Sequence, residues 1–302
     1  MSQFSHTKTL FHLPSNVVYL DGNSLGPMPL AAREHVATMM GNEWGEQMIK
    51  GWNNAGWMSL STQIGDRIAP LIGAEPGHVI MGDTLSIKVH QALAAALALN
   101  PGRKVILSDY GNFPSDLYIA QGLIKTLDRG HTLKTVAPED VSHHIDDQVA
   151  VLMLTEVDYR TGRKHDMKAL TATAHAHGVI TLWDLAHSVG ALPVDLVGSN
   201  VDFAVGCTYK YLNGGPGAPA FIYVCPAYVN KVDSSLSGWL GHAAPFDFEL
   251  DYRAAQGIER LRVGTPPVIA LKCLEPALDI WDLVTIDQVR KQSIALCELF
   301  IR

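Results

Sequence analysis

One lysine stands out by its surroundings. Residues 203–217 (FAVGCTYKYLNGGPG) pass from an apolar strand pattern into a glycine-rich turn, with Lys210 at the junction. A solvated surface charge explains such a lysine poorly. Burial disfavours the ammonium form and exposes a nucleophilic amine, which is what Schiff-base chemistry on a carbonyl requires. The glycines do not follow G-x-x-x-x-G-K-[ST], so this is not a nucleotide P-loop; an ordinary turn lysine is the competing reading. Upstream, residues 179–188 (VITLWDLAHS) form an apolar strand pattern ending in Asp184, with His187 three residues on. A carboxylate there can keep a pyridinium nitrogen protonated, so that the ring acts as an electron sink. It can equally cap a following helix. Residues 81–93 (MGDTLSIKVHQAL) put small polar residues at the start of a strong helix. The amides and dipole there would hold a phosphate, with the Ser86 hydroxyl as a further donor. An ordinary N-cap from Asp83 and Thr84 explains the same residues.

These groups need elements to position them. Short apolar runs at 104–108, 150–154, 179–183, 203–207 and 220–224 alternate with helical patterns such as 86–98 and 170–177. The alternation predicts an α/β fold, a largely parallel sheet covered by helices on both faces. Ligands in such folds sit beyond the carboxyl ends of the strands, where Asp184 and Lys210 are expected. Residues 19–27 (YLDGNSLGP) are turn-rich and a helix is expected at 30–40. Thr285 to Gln288 has capping-box form, and Ile286, Val289, Leu296, Cys297 and Phe300 make one apolar stripe at helical spacing. No Gly, Asn or Pro stop signal follows, so this helix is expected to be still running at Arg302.

The chain has 302 residues, 47% hydrophobic and only 18% charged, enough to bury a large core. A net charge of -7 argues against a nucleic-acid partner. Cys207, Cys225, Cys273 and Cys297 are widely spaced with no C-x-x-C pair, which disfavours disulfides and a metal site. No signal-peptide h-region or run of about 18 apolar residues is present, so a cytoplasmic protein without a membrane span is expected. His143, His144, His175 and His177 fall in polar patterns that suit surface or capping roles. Trp44 and Trp52 are expected in the core or at a dimer interface.

The spacing from Asp184-x-x-His187 to the lysine segment 208–217 (TYKYLNGGPG) resembles the fold-type-I pyridoxal-phosphate (PLP) enzymes of aminotransferase class V, and within them the kynureninase family. Segments 20–26 (LDGNSLG), 51–57 (GWNNAGW), 112–116 (NFPSD), 237–239 (SGW) and 262–267 (RVGTPP) extend the likeness in order along nearly the whole chain. The resemblance implies a mostly parallel seven-stranded sheet sandwiched by helices in a large domain over 1–283. Residues 284–302 would begin the helix leading to a small C-terminal domain that is largely missing. It implies that Lys210 carries the Schiff base and then serves as base and acid at the substrate Cα and the cofactor C4′. Asp184 would pair with the pyridine nitrogen, supported by His187. Leu85 and Ser86 would cradle the phosphate. Phe113 would stack on the ring, with Pro114, Ser115 and Asp116 enclosing it and Thr155 beside it. Tyr209 and Trp239 would reach toward the phosphate, Tyr209 also exchanging a proton near the γ-carbonyl. Thr265 would lie near phosphate and substrate, and Asn23, Ser24 and Trp57 would line the substrate cavity.

The implied reaction is hydrolysis of L-kynurenine or 3-hydroxykynurenine to alanine and an anthranilate, in tryptophan catabolism and NAD biosynthesis, by a homodimer with the site at its interface. Relatives continue into a domain that supplies an arginine for the substrate α-carboxylate, and no residue here takes that role. One alternative is a cysteine desulfurase or selenocysteine lyase of the same class, which normally has His directly before the lysine, where this chain has Tyr209. Another is a PLP-binding or dimerisation protein with little activity.

Overall fold

A computed structural model of the chain describes residues 4–302. Seven strands, β1 (Val79–Met81), β2 (Val105–Asp109), β3 (Thr132–Val136), β4 (Val149–Thr155), β5 (Ile180–Asp184), β6 (Phe203–Gly206) and β7 (Phe221–Val224), form one sheet in the order β1-β7-β6-β5-β4-β2-β3. Only β7 runs antiparallel to its neighbours. The central strands must be apolar on both faces because helices cover both, and β4 (VAVLMLT) is buried at every position.

The helices among the described residues are α1 (Ser5–Lys8), α2 (Leu30–Thr38), α3 (Gly51–Asn54), α4 (Leu60–Ile68), α5 (Leu85–Leu99), α6 (Pro114–Leu127), α7 (Met167–Ala176), α8 (Val268–Trp281) and α9 (Ile286–Ile301). One core layer joins α4, α7 and α8 to the sheet through Ile64, Leu170, Trp183 and Leu274. The other joins α5 and α6 to its opposite face through Val89, Leu93, Leu123, Met153 and Phe203. The expected α/β sandwich is therefore present. Helix α5 (LSIKVHQALAAALAL) is apolar nearly all round, as befits a helix sunk between sheet and α6.

Three expectations change in detail and a fourth holds. The helix expected at 30–40 leaves α geometry after Thr38 and continues as a wider π-type turn over Met39–Glu46. Trp44 is 55% exposed, so it is not a core residue, whereas Trp52 meets Trp57 edge-on with ring centroids 5.8 Å apart. His175 is more than a surface group, since its Nε2 lies 2.8 Å from the buried Asp202 carboxylate. The capping box at Thr285 and Gln288 forms as expected, and α9 runs to Ile301 with no residue of its apolar stripe buried.

Candidate active site

The parallel strands β2, β4, β5 and β6 deliver Asp109, Thr155, Asp184 and the Lys210 loop to one edge of the sheet. Lys210 follows β6 by four residues and is only 8% exposed. Its loop is tied by Asn213 N–H to the Lys210 carbonyl, Gly214 N–H to Thr208 O, and the Thr208 hydroxyl to Pro219 O. The N-terminal arm closes the loop from outside: Gly26 N–H donates to Tyr209 O at 2.9 Å. A Cβ on Gly26 would lie 2.2 Å from the Lys210 carbonyl oxygen, so only glycine fits.

Lys210 Nζ lies 2.8 Å from His187 Nε2. Burial, aided by Lys210, pulls the His187 imidazole down to about 4, so it is neutral at pH 7 and can accept a hydrogen bond from the amine. The partner of His187 is thus Lys210, and no hydrogen bond joins it to Asp184 among the described residues. Asp184 Oδ1 accepts Ala186 N–H at 2.8 Å; this satisfies one oxygen in a turn, and no helix follows for it to cap. Burial raises its carboxyl to about 6, against the opposing pull of that N–H and of Lys210. Asp116, buried in the first turn of α6, is pushed well above the usual carboxylate range by burial and then by Asp184. A carboxylate pair and an amine therefore share one poorly hydrated pocket.

Two helix starts converge beside it. Thr84 at the N-cap of α5 makes no side-chain cap bond and Asp83 sits in a left-handed conformation, so the ordinary N-cap is not made. Phe113, at the N-cap of α6, likewise has no capping side chain, and Pro114 takes the first helical position. Ser86 Oγ and Ser115 Oγ meet at 3.1 Å, which brings the two ends together. Uncapped first-turn amides and two aligned dipoles suit an anion. The Phe113 ring centre is 5.9 Å from Lys210 Nζ, and the loop before it is fixed by Asn112, which donates to Ser108 Oγ and Met153 O. Thr155 Oγ1 bonds Val157 O and Asp184 O, joining the ends of β4 and β5. The Tyr209 ring centre is 5.8 Å from Lys210 Nζ; burial, with the Cys207 thiol adding, keeps its phenol protonated far above neutral pH.

Other expected site residues lie farther out. Thr265 lines a small cavity with Gly82, Asp83 and Lys88, beside the turn that precedes α5. Trp239 is partly exposed and edge-on to Phe246. Ser24 bonds Asp21 on the arm, next to Asn23 and two residues from Gly26. Trp57 is buried, with its indole N–H given to Glu43 at 2.7 Å. No hydrogen bond, ion pair or ring contact joins Thr265, Trp239 or Trp57 to Lys210 among the described residues.

The structure adds residues that the sequence reading passed over. Tyr159 packs edge-on against Phe113 at 5.1 Å and stacks on His187 at 6.4 Å. Asp109, fully buried at the end of β2, meets His165 Nε2 at 2.5 Å and Arg163 at 3.4 Å. Asp109 carries the same local signal as Asp184, an acid closing an apolar strand; Tyr159 and His165 carry none.

The profile of the aminotransferase class-V family matches residues 53–301. The kynureninase of Deinococcus radiodurans is 46% identical over 99% of this chain and 73% of its own length. That of Pseudomonas fluorescens is 48% identical over 96% and 71%. Among solved structures, the cystine C–S lyase C-DES, with glycine covalently linked to its PLP cofactor, matches at TM-score 0.81 and 18% identity, over 92% of this chain and 74% of that one. The cysteine desulfurase of Thermococcus onnurineus matches at TM-score 0.80 and 19% identity, over 97% and 74%. At such identities these structures establish the fold, that of PLP fold type I, and the finer assignment comes from the sequence relatives. The chain belongs to the kynureninases, within the aminotransferase class-V family.

Proposed function

We propose that this chain hydrolyses the Cβ–Cγ bond of L-kynurenine, or of its 3-hydroxy form, to L-alanine and the corresponding anthranilate, with PLP held on Lys210. The observation that carries the proposal is a buried lysine amine grouped with a buried acid at neighbouring strand ends, in a chain 46–48% identical to kynureninases. The pocket fits the cofactor on its own chemistry: an amine for the aldehyde, Asp184 for the ring nitrogen, Phe113 for the ring face and uncapped helix starts for the phosphate. When bound, PLP supplies the electron sink for negative charge at the substrate Cα.

The protein's share is orientation and proton control. Neutral His187 accepts a hydrogen bond from Lys210 Nζ and so aims the amine that attacks a carbonyl and later removes and returns the Cα proton. Asp184 would hold a positive ring nitrogen, with Asp116, whose carboxyl burial and Asp184 hold well above the usual carboxylate range, packed beside it. The amides of Leu85 and Ser86 and the hydroxyl of Ser115 hold the phosphate, while Pro114, Thr155, Trp239 and Thr265 complete the enclosure. Water adds to the γ-carbonyl; the protonated Tyr209 phenol donates to that oxygen and recovers its proton as the Cβ–Cγ bond breaks. The bonding pair stays on Cβ, which takes the proton released by the adding water and becomes the methyl group of alanine. Asn23 and Ser24, on the arm that seals the Lys210 loop, and Trp57 form the substrate side.

The chain works as a cytoplasmic homodimer, with residues 1–283 as the large domain and 284–302 opening the helix toward a small one. Among the described residues no helix is long and apolar enough to cross a membrane. Desulfurase chemistry is disfavoured by the thiols. Burial pushes Cys207 up to about 11 and also raises Cys225 and Cys273, and Cys297 lies on helix α9, whereas a persulfide carrier needs a lowered pKa. The test is anthranilate fluorescence on adding L-kynurenine to the PLP-loaded protein. Persulfide release from cysteine with no anthranilate would overturn the proposal.

A further inference from the structure

Lys88 lies in the first turn of α5 with no exposed surface. A cation there opposes the helix dipole, which is positive at that end, and has also left water. Burial holds its pKa down to about 8 even with the Asp83 carboxylate beside it. Its ammonium reaches Gln91 Oε1 at 2.9 Å, Asp83 Oδ2 at 3.5 Å and Leu261 O at 3.5 Å. Gln91 Nε2 grips the same Leu261 carbonyl at 3.2 Å. The Asp83 side chain is 38% exposed and shares its charge with solvent, so it offsets the ammonium less than a buried partner would. Beside Lys88 lies a cavity of about 20 Å³, lined also by Gly82, Arg262 and Thr265, with room for one water. Yet Leu85, Ser86 and Ser115, which hold the phosphate in the function proposed above, and Trp239 and Thr265, which help to enclose it, bear no positive charge.

We propose that Lys88 is a positioning residue for the cofactor phosphate: an internal counter-charge that pins the turn 82–83 and the Leu261 carbonyl, so that the α5 amides and the Thr265 loop close on a dianion. The proposal rests on the PLP reading. It explains why a buried ammonium is tolerated at a helix end that disfavours it.

The experiment titrates the cofactor-free protein with PLP and with pyridoxal, which lacks the phosphate, following visible absorption of the lysine-bound aldehyde. Lys88→Met should weaken PLP at least about 10-fold while changing pyridoxal by less than about 2-fold, and Lys88→Arg should recover most of the loss. Equal losses for the two aldehydes would show a purely structural role and overturn the proposal, as would no loss for either. Should Lys88→Met not fold, ³¹P resonances of PLP bound to the parent protein decide. A phosphate held as dianion across pH 5.5–8 supports the counter-charge, whereas titration near the free-ester value of about 6 overturns it. If PLP gives no visible absorption with the parent protein, the PLP reading itself fails. Absorption with an unchanged PLP-to-pyridoxal preference in Lys88→Met sinks only the role of Lys88.

Discussion

Around Lys210 the pocket holds more carboxylate than it can ionise cheaply. Asp184 has a folded pKa of about 6 against an ordinary 3.8, so the folded chain holds its proton more tightly than the unfolded chain. The sign follows: its cost to stability is absent below about 4, grows as pH rises and is complete above about 6. Asp184→Asn should therefore stabilise the cofactor-free protein at pH 7.5 by on the order of 2–3 kcal/mol, a gain that fades in thermal melts toward pH 4. The same change should slow exchange of the substrate Cα proton, because the ring nitrogen loses its charged partner. Exchange as fast as in the parent protein would give Asp184 another role. Borohydride reduction of the PLP-loaded protein should label the Lys210 peptide, and Lys210→Ala should take no label; a label on any other lysine removes the assignment. Lys210, Asp184 and His187 were legible because their signal is local, a reactive group where an apolar strand ends. Lys88 and the Asp109–His165 pair were not, since each acquires its meaning from a partner far along the chain, Leu261 for the first and a residue 56 positions away for the second.

The elements that carry the ring wall are held by a buried charge cluster. Asp109 accepts Gly111 N–H at 2.7 Å and faces His165 and Arg163, pinning the loop before Phe113 to the segment that carries Tyr159. Asp109→Asn leaves Arg163 without its charge partner and disturbs the buried contact with His165, and should cost about 3 kcal/mol, seen as a lower urea midpoint with an unchanged m-value. It should also weaken PLP binding through Phe113. A loss below about 0.5 kcal/mol would mean that the loop is held by packing alone. Five of the seven strands were legible as apolar runs, with no end shifted by more than one residue. β1 has only three residues, and β3 (TLKTV) is polar and half-exposed at the sheet edge, so neither shows the continuous apolar run of a central strand. The reversed direction of β7 depends on its partners and leaves no local mark. α6 went unnoticed because its Asn-Phe-Pro opening resembles a turn, although Pro is favoured at a helix's first position.

Across the whole molecule, the N-terminal arm and the short turn after the π-type turn expose apolar side chains, including Val18 at 85%, Leu20 at 79% and Ile49 at 77%. Scattered exposure is ordinary, but runs of this kind suit an interface between copies of the chain. Light scattering on the eluting protein should give twice the chain mass, and Val18→Asp with Ile49→Asp should shift it to monomer and abolish anthranilate release. A monomeric parent with full turnover would remove the dimer from the mechanism. The hydrogen bond from Gly26 to Tyr209 joins points roughly 180 residues apart in sequence. At a synthesis rate of about 5–20 residues per second, the arm leaves the ribosome roughly 10–40 s before the loop it seals exists. Throughout that interval its apolar residues have nowhere to dock, and the future reactive lysine has not been made. Capture of the cofactor is therefore a late event in the life of each new chain, and refolded protein should regain its helix signal well before it regains its colour.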